Sequence, residues 1–425
     1  MSVQHQWLEA VELECAASVA RDGCPRKGDL DLLKCNGFRE IVTMLLLLCL
    51  CVCLGSGCQE GLPVLSEAEI ASKTDALLAK IVEDAGLSDR ECVFDVQITD
   101  IRRGKITLTG ETSEQRLKDI LFTRIADELS YGIVDEIALL PSADLGDKTW
   151  ALVCKPVINL GSAPSKKDYE NTVTQARLGD VLRVLKTQDE WYLVQMDDHY
   201  LGWADPSDII LCDKDDVDEF WDKEVALIAV KMAECLDSPG GEPVFEKRLV
   251  HGSILPIESQ TGEWAKLSLP GGGNVYTKTV NILRYKSRED ALNKQSGVAA
   301  VIATAKQYLG FPYLWGGCTS YGFDCSGFTQ FCMKVNGYSI RRDADLQFKQ
   351  GEPVLTIAQL KPGDLVFFQT DNSGPSHVGI YIGDYRFIHS AGSTGVTINS
   401  FKSSNVEEYS SSLTMQFCGG RRIIK

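Results

Sequence analysis

The stretch "YGFDCSGFTQFCMKVNG", Tyr321 to Gly337, constrains the fold of this 425-residue chain more than any other. Phe328, Phe331, Cys332 and Val335 recur at helical spacing, so a buried helix is predicted from about Ser326 to Asn336, ended by Gly337. Asp324 precedes it as a natural N-cap. Cys325 is thereby placed at the positive end of the helix, where unpaired N–H groups favour an anion and a thiol pKa can fall from about 8.5 to roughly 3.5–7.5. Such a thiolate needs a general base. Of five histidines, two lie in "PSHVGIYIGDYRFIHSAG", which reads as two strands around a Gly-Asp turn, with His377 starting the first and His389 ending the second. Antiparallel pairing would bring both imidazoles to one end of a sheet, with His377 as base and His389 orienting it. Taken singly, a buried cysteine is more often structural, and a strand-end histidine is ordinarily just that.

The remaining length implies three or four domains. "SEAEIASKTDALLAKIVEDAG" has helical spacing, "VFDVQITDI" and "GKITLTGET" alternate as strands, a second helix starts at Ser113, and "IVDEIALLP" closes as a strand. This order, over residues 64–141, resembles the BON domain, a small α/β envelope module. Residues 150–212 turn to short β runs, and "EWYLVQMDDHYLGWADPSDII" looks like the end of a bacterial SH3-like barrel. A second unit, residues 225–284, carries "EWAKLSLPGGGNVYTKTVNIL" in the same place, so two diverged copies are expected. A linker or helix start, "RYKSREDALNKQSG", leads to a last domain at 298–425 that opens with the helix "VAAVIATAKQYLG".

In that last domain, "YLWGG", "DCSGF", "LKPGDLVFF", "SHVGIYIG" and "FIHSAG" resemble, in order, the blocks of the NlpC/p60 cysteine peptidases of bacterial cell walls. The resemblance implies a multidomain α+β chain with a papain-like catalytic domain, Cys325 as nucleophile, His377 as base and His389 as orienting residue. It also implies amide hydrolysis through a thioester, with the Cys325 N–H and the Tyr313 hydroxyl at the oxyanion and no cofactor or metal. SH3-like units ahead of the peptidase resemble the branch that cuts the γ-D-Glu to diamino acid bond of stem peptides with a free N-terminal L-Ala. There the first SH3-like unit closes one end of the groove. The matching positions here are Asp343, which would hold the amine, with Tyr200, Tyr313, Asp324, Ser326 and, near "SAPSKKDYENTVTQ", Glu170. Ala344 departs from the small hydroxyl residue common in that branch. A general wall endopeptidase, an acyltransferase on the same fold and an inactive envelope scaffold are the alternatives.

Residues 1–58 read as a polar N-terminal extension followed, from Ile41, by a segment that belongs to no globular domain. The apolar run Ile41 to Leu54 is too short to span a bilayer comfortably and reads as a secretion signal. "LGSGC" ending at Cys58 resembles a lipoprotein box, with Leu54 one place too early, so lipidation of Cys58 and an exported, membrane-anchored protein are expected, with a conventionally cleaved signal or an uncleaved anchor as the alternatives. The formal charge of −16 is spread along the chain without a basic tract, which argues against nucleic acid as a partner. The fifteen cysteines are irregularly spaced, which argues against a zinc site and for buried thiols, Cys318 and Cys332 among them.

Overall fold

Two apolar stripes organise the N-terminal part of the computed structural model, which describes residues 65–165, 171–371 and 374–425. Helix α1 (Glu67–Asp84) buries Ile70, Leu77 and Ile81, and helix α2 (Gln115–Leu129) buries Leu117, Leu121, Ile125 and Leu129. The helices pack on each other and on a three-stranded sheet of β1 (Phe94–Arg102), β2 (Lys105–Thr112) and β3 (Gly132–Leu139), in that order. The β1–β2 pair is antiparallel, turning through Arg103 and Gly104 at φ 50° and 72°, while β2–β3 is parallel. Helix α2 starts after the predicted Ser113. The Thr112 Oγ1 accepts from the Glu114 N–H and the Ser113 Oγ from the Val93 N–H, which ties these residues to the strand end.

Seven antiparallel strands follow: β4 (Trp150–Val153), β5 (Val157–Gly161), β6 (Thr172–Arg177), β7 (Val181–Gln188), β8 (Trp191–Gln195), β9 (Leu201–Ala204) and β10 (Ile209–Cys212). Their order is β10-β4-β7-β8-β9-β5-β6, around a core that includes Val153, Leu160, Ala176, Val184 and Val194. Helix α3 (Lys214–Trp221), opened by an Asp213–Asp216 capping box, leads into a second sheet. That sheet comprises β11 (Val225–Ile228), β14 (Ile254–Thr261), β15 (Trp264–Ser268), β16 (Asn274–Lys278) and β17 (Ile282–Tyr285), ordered β16-β15-β14-β11-β17. The hairpin β12 (Met232–Ala233) and β13 (Leu249–Val250) is set in the loop after β11. The segment read as a linker holds a short helix, α4 (Arg288–Asn293), because the Ser287 Oγ caps the Asp290 N–H at 3.1 Å.

The last domain sets α5 (Val298–Gln307), the hairpin β18 (Cys318–Thr319) and β19 (Gly322–Phe323), and α6 (Cys325–Lys334) before a six-stranded antiparallel sheet. Its strands are β20 (Glu352–Val354), β21 (Leu365–Phe368), β22 (His377–Gly383), β23 (Arg386–Ala391), β24 (Gly395–Ser400) and β25 (Phe417–Arg422), ordered β20-β25-β21-β22-β23-β24. The short helices α7 (Ala344–Gln347) and α8 (Ser411–Gln416) flank it. Helix α6 departs from the one-faced helix read from its apolar positions, since every residue from Cys325 to Met333 is buried. It packs on β22, β23 and α5, and its polar residues have partners: Thr329 Oγ1 donates to Gln347 Oε1 at 2.8 Å and Gln330 Nε2 to Asp198 Oδ2 at 2.7 Å. Gly337 stops the chain behind it, at φ 82°, where a Cβ would lie 2.4 Å from the Lys294 carbonyl oxygen.

Residues Glu67 to Lys425 form one compact unit. Among the described residues every cysteine is a free thiol, Cys318 and Cys332 are buried, and no helix is long and apolar enough to cross a membrane. The segment 1–58 with Cys58, and Glu170, lie outside the described residues.

Candidate active site

Cys325 is the first residue of α6, and Asp324 caps it, its Oδ1 accepting the Gly327 N–H at 2.6 Å. The sulfur rests against the backbone on either side of His377, 3.9 Å from the Ser376 carbonyl oxygen and within reach of the Val378 N–H. The lowered thiol pKa expected from the helix start is not what the surroundings produce. Burial and the neighbouring Asp324 carboxylate push the thiol up to about 12, outweighing the N–H groups of Val378 and Ser326 and the charge of Arg342. Among the described residues no hydrogen bond joins the thiol to His377, so the resting thiol is neutral.

The histidines form a directed chain. Asn399 Nδ2 donates to the Glu408 carbonyl at 2.9 Å, which turns its Oδ1 toward His389 Nε2, 2.8 Å away. That nitrogen must therefore carry the proton, which leaves His389 Nδ1 as an acceptor for His377 Nε2 at 2.6 Å. In neutral His377 the remaining Nδ1 is then an unprotonated acceptor, the state a general base requires. Burial, with His389 beside it, lowers His377 to about 3, and burial lowers His389 to about 4, so both rings are neutral at pH 7. Strand pairing sets the geometry: β22 and β23 are antiparallel neighbours, and Asn399 comes from β24 next to them.

A groove of about 410 Å³ opens over Cys325, within the range of small-molecule sites. Tyr313, Tyr200, Asp343, Ala344 and the 62 % exposed Trp315 line it. Tyr313 is held protonated by burial and by Cys325 and Asp324 nearby. Beneath the groove Arg342, 1 % exposed, donates to both Asp324 oxygens at 3.1 and 2.6 Å, to Ser326 Oγ at 2.9 Å and to Thr174 Oγ1 of β6 at 3.1 Å. The seven-stranded sheet thus reaches the start of α6. Gly316 permits the approach, since a Cβ there would lie 2.5 Å from the Thr172 carbonyl oxygen. At one end of the groove Tyr200 Oη donates to Asp343 Oδ2 at 2.8 Å, and Arg90 Nη1 approaches the same oxygen at 2.6 Å.

The structure thus gathers Cys325, His377, His389, Tyr313, Tyr200, Asp343, Asp324 and Ser326 in one region. Arg342, Asn399, Trp315 and Arg90 were not singled out from sequence. "RRDAD" carried a signal for Arg342, because two arginines beside acidic residues invite pairing, and Trp315 stood inside "YLWGG". Arg90 is joined to the site through contacts distant in the chain, and Asn399 through the pairing of neighbouring strands, and no motif marks either.

A cysteine at a helix start, set against an antiparallel sheet with two hydrogen-bonded histidines, is the arrangement of cysteine-dependent acyl chemistry. Residues 310–415 match the NlpC/P60 family model and residues 167–209 that of the bacterial dipeptidyl-peptidase SH3 domain. The chain belongs to the NlpC/P60 family of cysteine peptidases, with an SH3 domain ahead of the catalytic one. It is 31 % identical over 229 residues to a γ-D-glutamyl-L-lysine dipeptidyl-peptidase of Bacillus cereus, covering 51 % of this chain and 66 % of that one. To the Bacillus subtilis protein of the same name it is 37 % identical over 165 residues, 38 % of this chain and 51 % of that one. The chain therefore spans about half to two thirds of the length of these curated relatives. A crystal structure of an NlpC/P60 family protein from Bacillus cereus aligns with a TM-score of 0.57 at 23 % identity, over 65 % of this chain and 100 % of that one, a likeness of fold.

Proposed function

We propose that this protein is a cell-wall peptide hydrolase that cuts the γ-D-Glu to diamino acid bond of stem peptides with a free N-terminal L-Ala. The observation that carries the reading is the groove: Cys325 lies beneath it and a carboxylate, Asp343, stands at one end beside Tyr200 of the SH3 domain. A carboxylate there suits an ammonium, and an SH3 wall at that end would exclude glycan still attached to the same nitrogen. The names of the curated relatives support the bond chosen.

In this mechanism Cys325 Sγ attacks the γ-glutamyl carbonyl carbon as its proton passes to His377 Nδ1. The Cys325 N–H and the Tyr313 hydroxyl steady the oxyanion. The tetrahedral intermediate collapses, the C–N bond breaks, and His377 Nδ1–H protonates the leaving amine. Water, giving a proton to the same nitrogen, then hydrolyses the thioester and returns the thiol. His389 holds the His377 tautomer and stabilises the transient imidazolium. No metal or organic cofactor enters this reading. Among the described residues no group of three or more His, Cys, Asp or Glu could hold a metal ion.

The five-stranded sheet is read as a second SH3-like unit and the N-terminal α/β unit as BON-like, on its helix, two strands, helix, strand order. Lipidation of Cys58 would hold the protein at a membrane face, and Cys58→Ser is expected to abolish partitioning into a detergent phase. The reaction is tested by digesting purified stem peptides and assigning the new amine by mass spectrometry. Release of L-Ala-D-Glu is expected. A cut at any other bond, or transfer of the acyl group to an added amine in place of water, would sink the assignment.

A further inference from the structure

Arg90 belongs to neither the catalytic domain nor the SH3 sheet, yet its guanidinium lines the groove that holds Cys325. It comes from the turn between α1 and β1, and that turn is fixed from several sides. The Leu201 N–H donates to the Arg90 carbonyl at 2.8 Å and Gln195 Nε2 to the Glu91 carbonyl at 2.7 Å. The buried Glu91 side chain pairs with Arg341 of the catalytic domain, whose Nε lies 2.6 Å away. From this seat Arg90 Nη1 donates to Asp343 Oδ2 at 2.6 Å and to Asp345 Oδ1 at 3.0 Å, and Nη2 to Asp345 Oδ2 at 2.6 Å.

Asp343 Oδ2 thus receives two donors, Arg90 and Tyr200, while its Oδ1 accepts none among the described residues and the side chain is 22 % exposed. Charge counting points the same way. Two carboxylates share one guanidinium and Lys349 also acts on Asp345, so the charge of Arg90 is not spent on Asp343 alone. Asp345 takes two of the three hydrogen bonds that the guanidinium gives to carboxylates.

We propose that Arg90 is a positioning residue for substrate recognition: with Tyr200 it pins Oδ2 of Asp343 so that Oδ1 meets the incoming ammonium, while Asp345 occupies the guanidinium's charge. This rests on the reading of Asp343 as the amine-binding carboxylate. An arginine that merely fills the ammonium's place would have the opposite effect when removed.

The test uses the full chain and two peptides, L-Ala-γ-D-Glu-diamino acid with its amine free and its N-acetyl twin. Arg90→Gln is expected to raise KM for the free-amine peptide roughly tenfold, the scale of one hydrogen bond to a charged group, with far less effect on kcat. Arg90→Lys should recover part of the loss. Asp345→Asn, made on the catalytic side of the contact, should also raise KM, because the guanidinium would then neutralise Asp343 alone. An unchanged or lowered KM in Arg90→Gln overturns the proposal, as does a fall in kcat equal for both peptides. A wild type that treats the two peptides alike overturns the Asp343 reading and the proposal with it. A discriminating wild type with an indifferent Arg90→Gln overturns the proposal alone.

Discussion

Cys325 and His377 are both neutral in the resting site, so the base depends on which ring nitrogen holds its proton. That choice is made by the chain Glu408 carbonyl, Asn399, His389, His377, every link of which has a single direction. Cys325→Ala is expected to abolish peptide hydrolysis without unfolding the domain, and His377→Ala to lower kcat by about 10²–10⁴. His389→Ala should lower it less. Asn399→Leu tests the chain itself: kcat should fall while KM holds, because a leucine neither turns toward Glu408 nor fixes the His389 tautomer. Steady-state kinetics on one stem peptide reads all four, and full activity in Cys325→Ala at unchanged melting temperature would remove it from the mechanism. Cys325 and His377 were legible because each opens an element whose apolar period is plain, and His389 because it follows the apolar run of β23, inside the strand and two residues short of its end. Asn399 was not, since a single polar residue in "TINSF" says nothing of the strand beside it.

At the scale of elements, α6 is stapled to its surroundings by Arg342. Its guanidinium, buried with the Asp324 carboxylate, also reaches Ser326 and β6. Replacing Arg342 by Leu strands the Asp324 charge in the interior and should cost about 3–5 kcal/mol in urea unfolding. Activity should fall too, because Asp324 caps the turn that presents Cys325. A cost under about 1 kcal/mol, the range of a surface pair, would contradict this account of the staple. Helix α6 was legible in its apolar spacing, but its complete burial was not. Thr329 and Gln330 lie off the apolar stripe, and their partners, Gln347 of α7 and Asp198 of the SH3 domain, come from other parts of the chain.

Across the whole molecule the turn between β13 and β14 touches the catalytic domain through His251, whose Nδ1 lies 3.0 Å from the Tyr308 hydroxyl and whose ring stands edge-on to Phe331. Burial, helped by Arg177, lowers it from 6.5 to about 4. The unfolded chain takes up a proton there below about pH 6.5 and the folded chain does not until about pH 4, so stability falls as pH drops through that window. His377 and His389, lowered likewise, add in the same direction. The melting temperature of the wild type should therefore fall between pH 6.5 and 4, and His251→Gln should flatten that slope. An equal slope in the variant would remove His251 from the effect. The SH3 segment ahead of the catalytic one was legible in its alternation and turn residues. The docking of Arg90 and Glu91 on the catalytic domain was not, because paired charges so far apart in sequence read as surface residues. That docking completes the end of the groove, where the account's central claim lies: a carboxylate chosen for a free amine. The most direct measurement is a one-tube competition between the free-amine tripeptide and its N-acetyl twin, followed by mass spectrometry. The free peptide should be consumed at least about tenfold faster, releasing L-Ala-D-Glu. Equal consumption of the two would contradict the account.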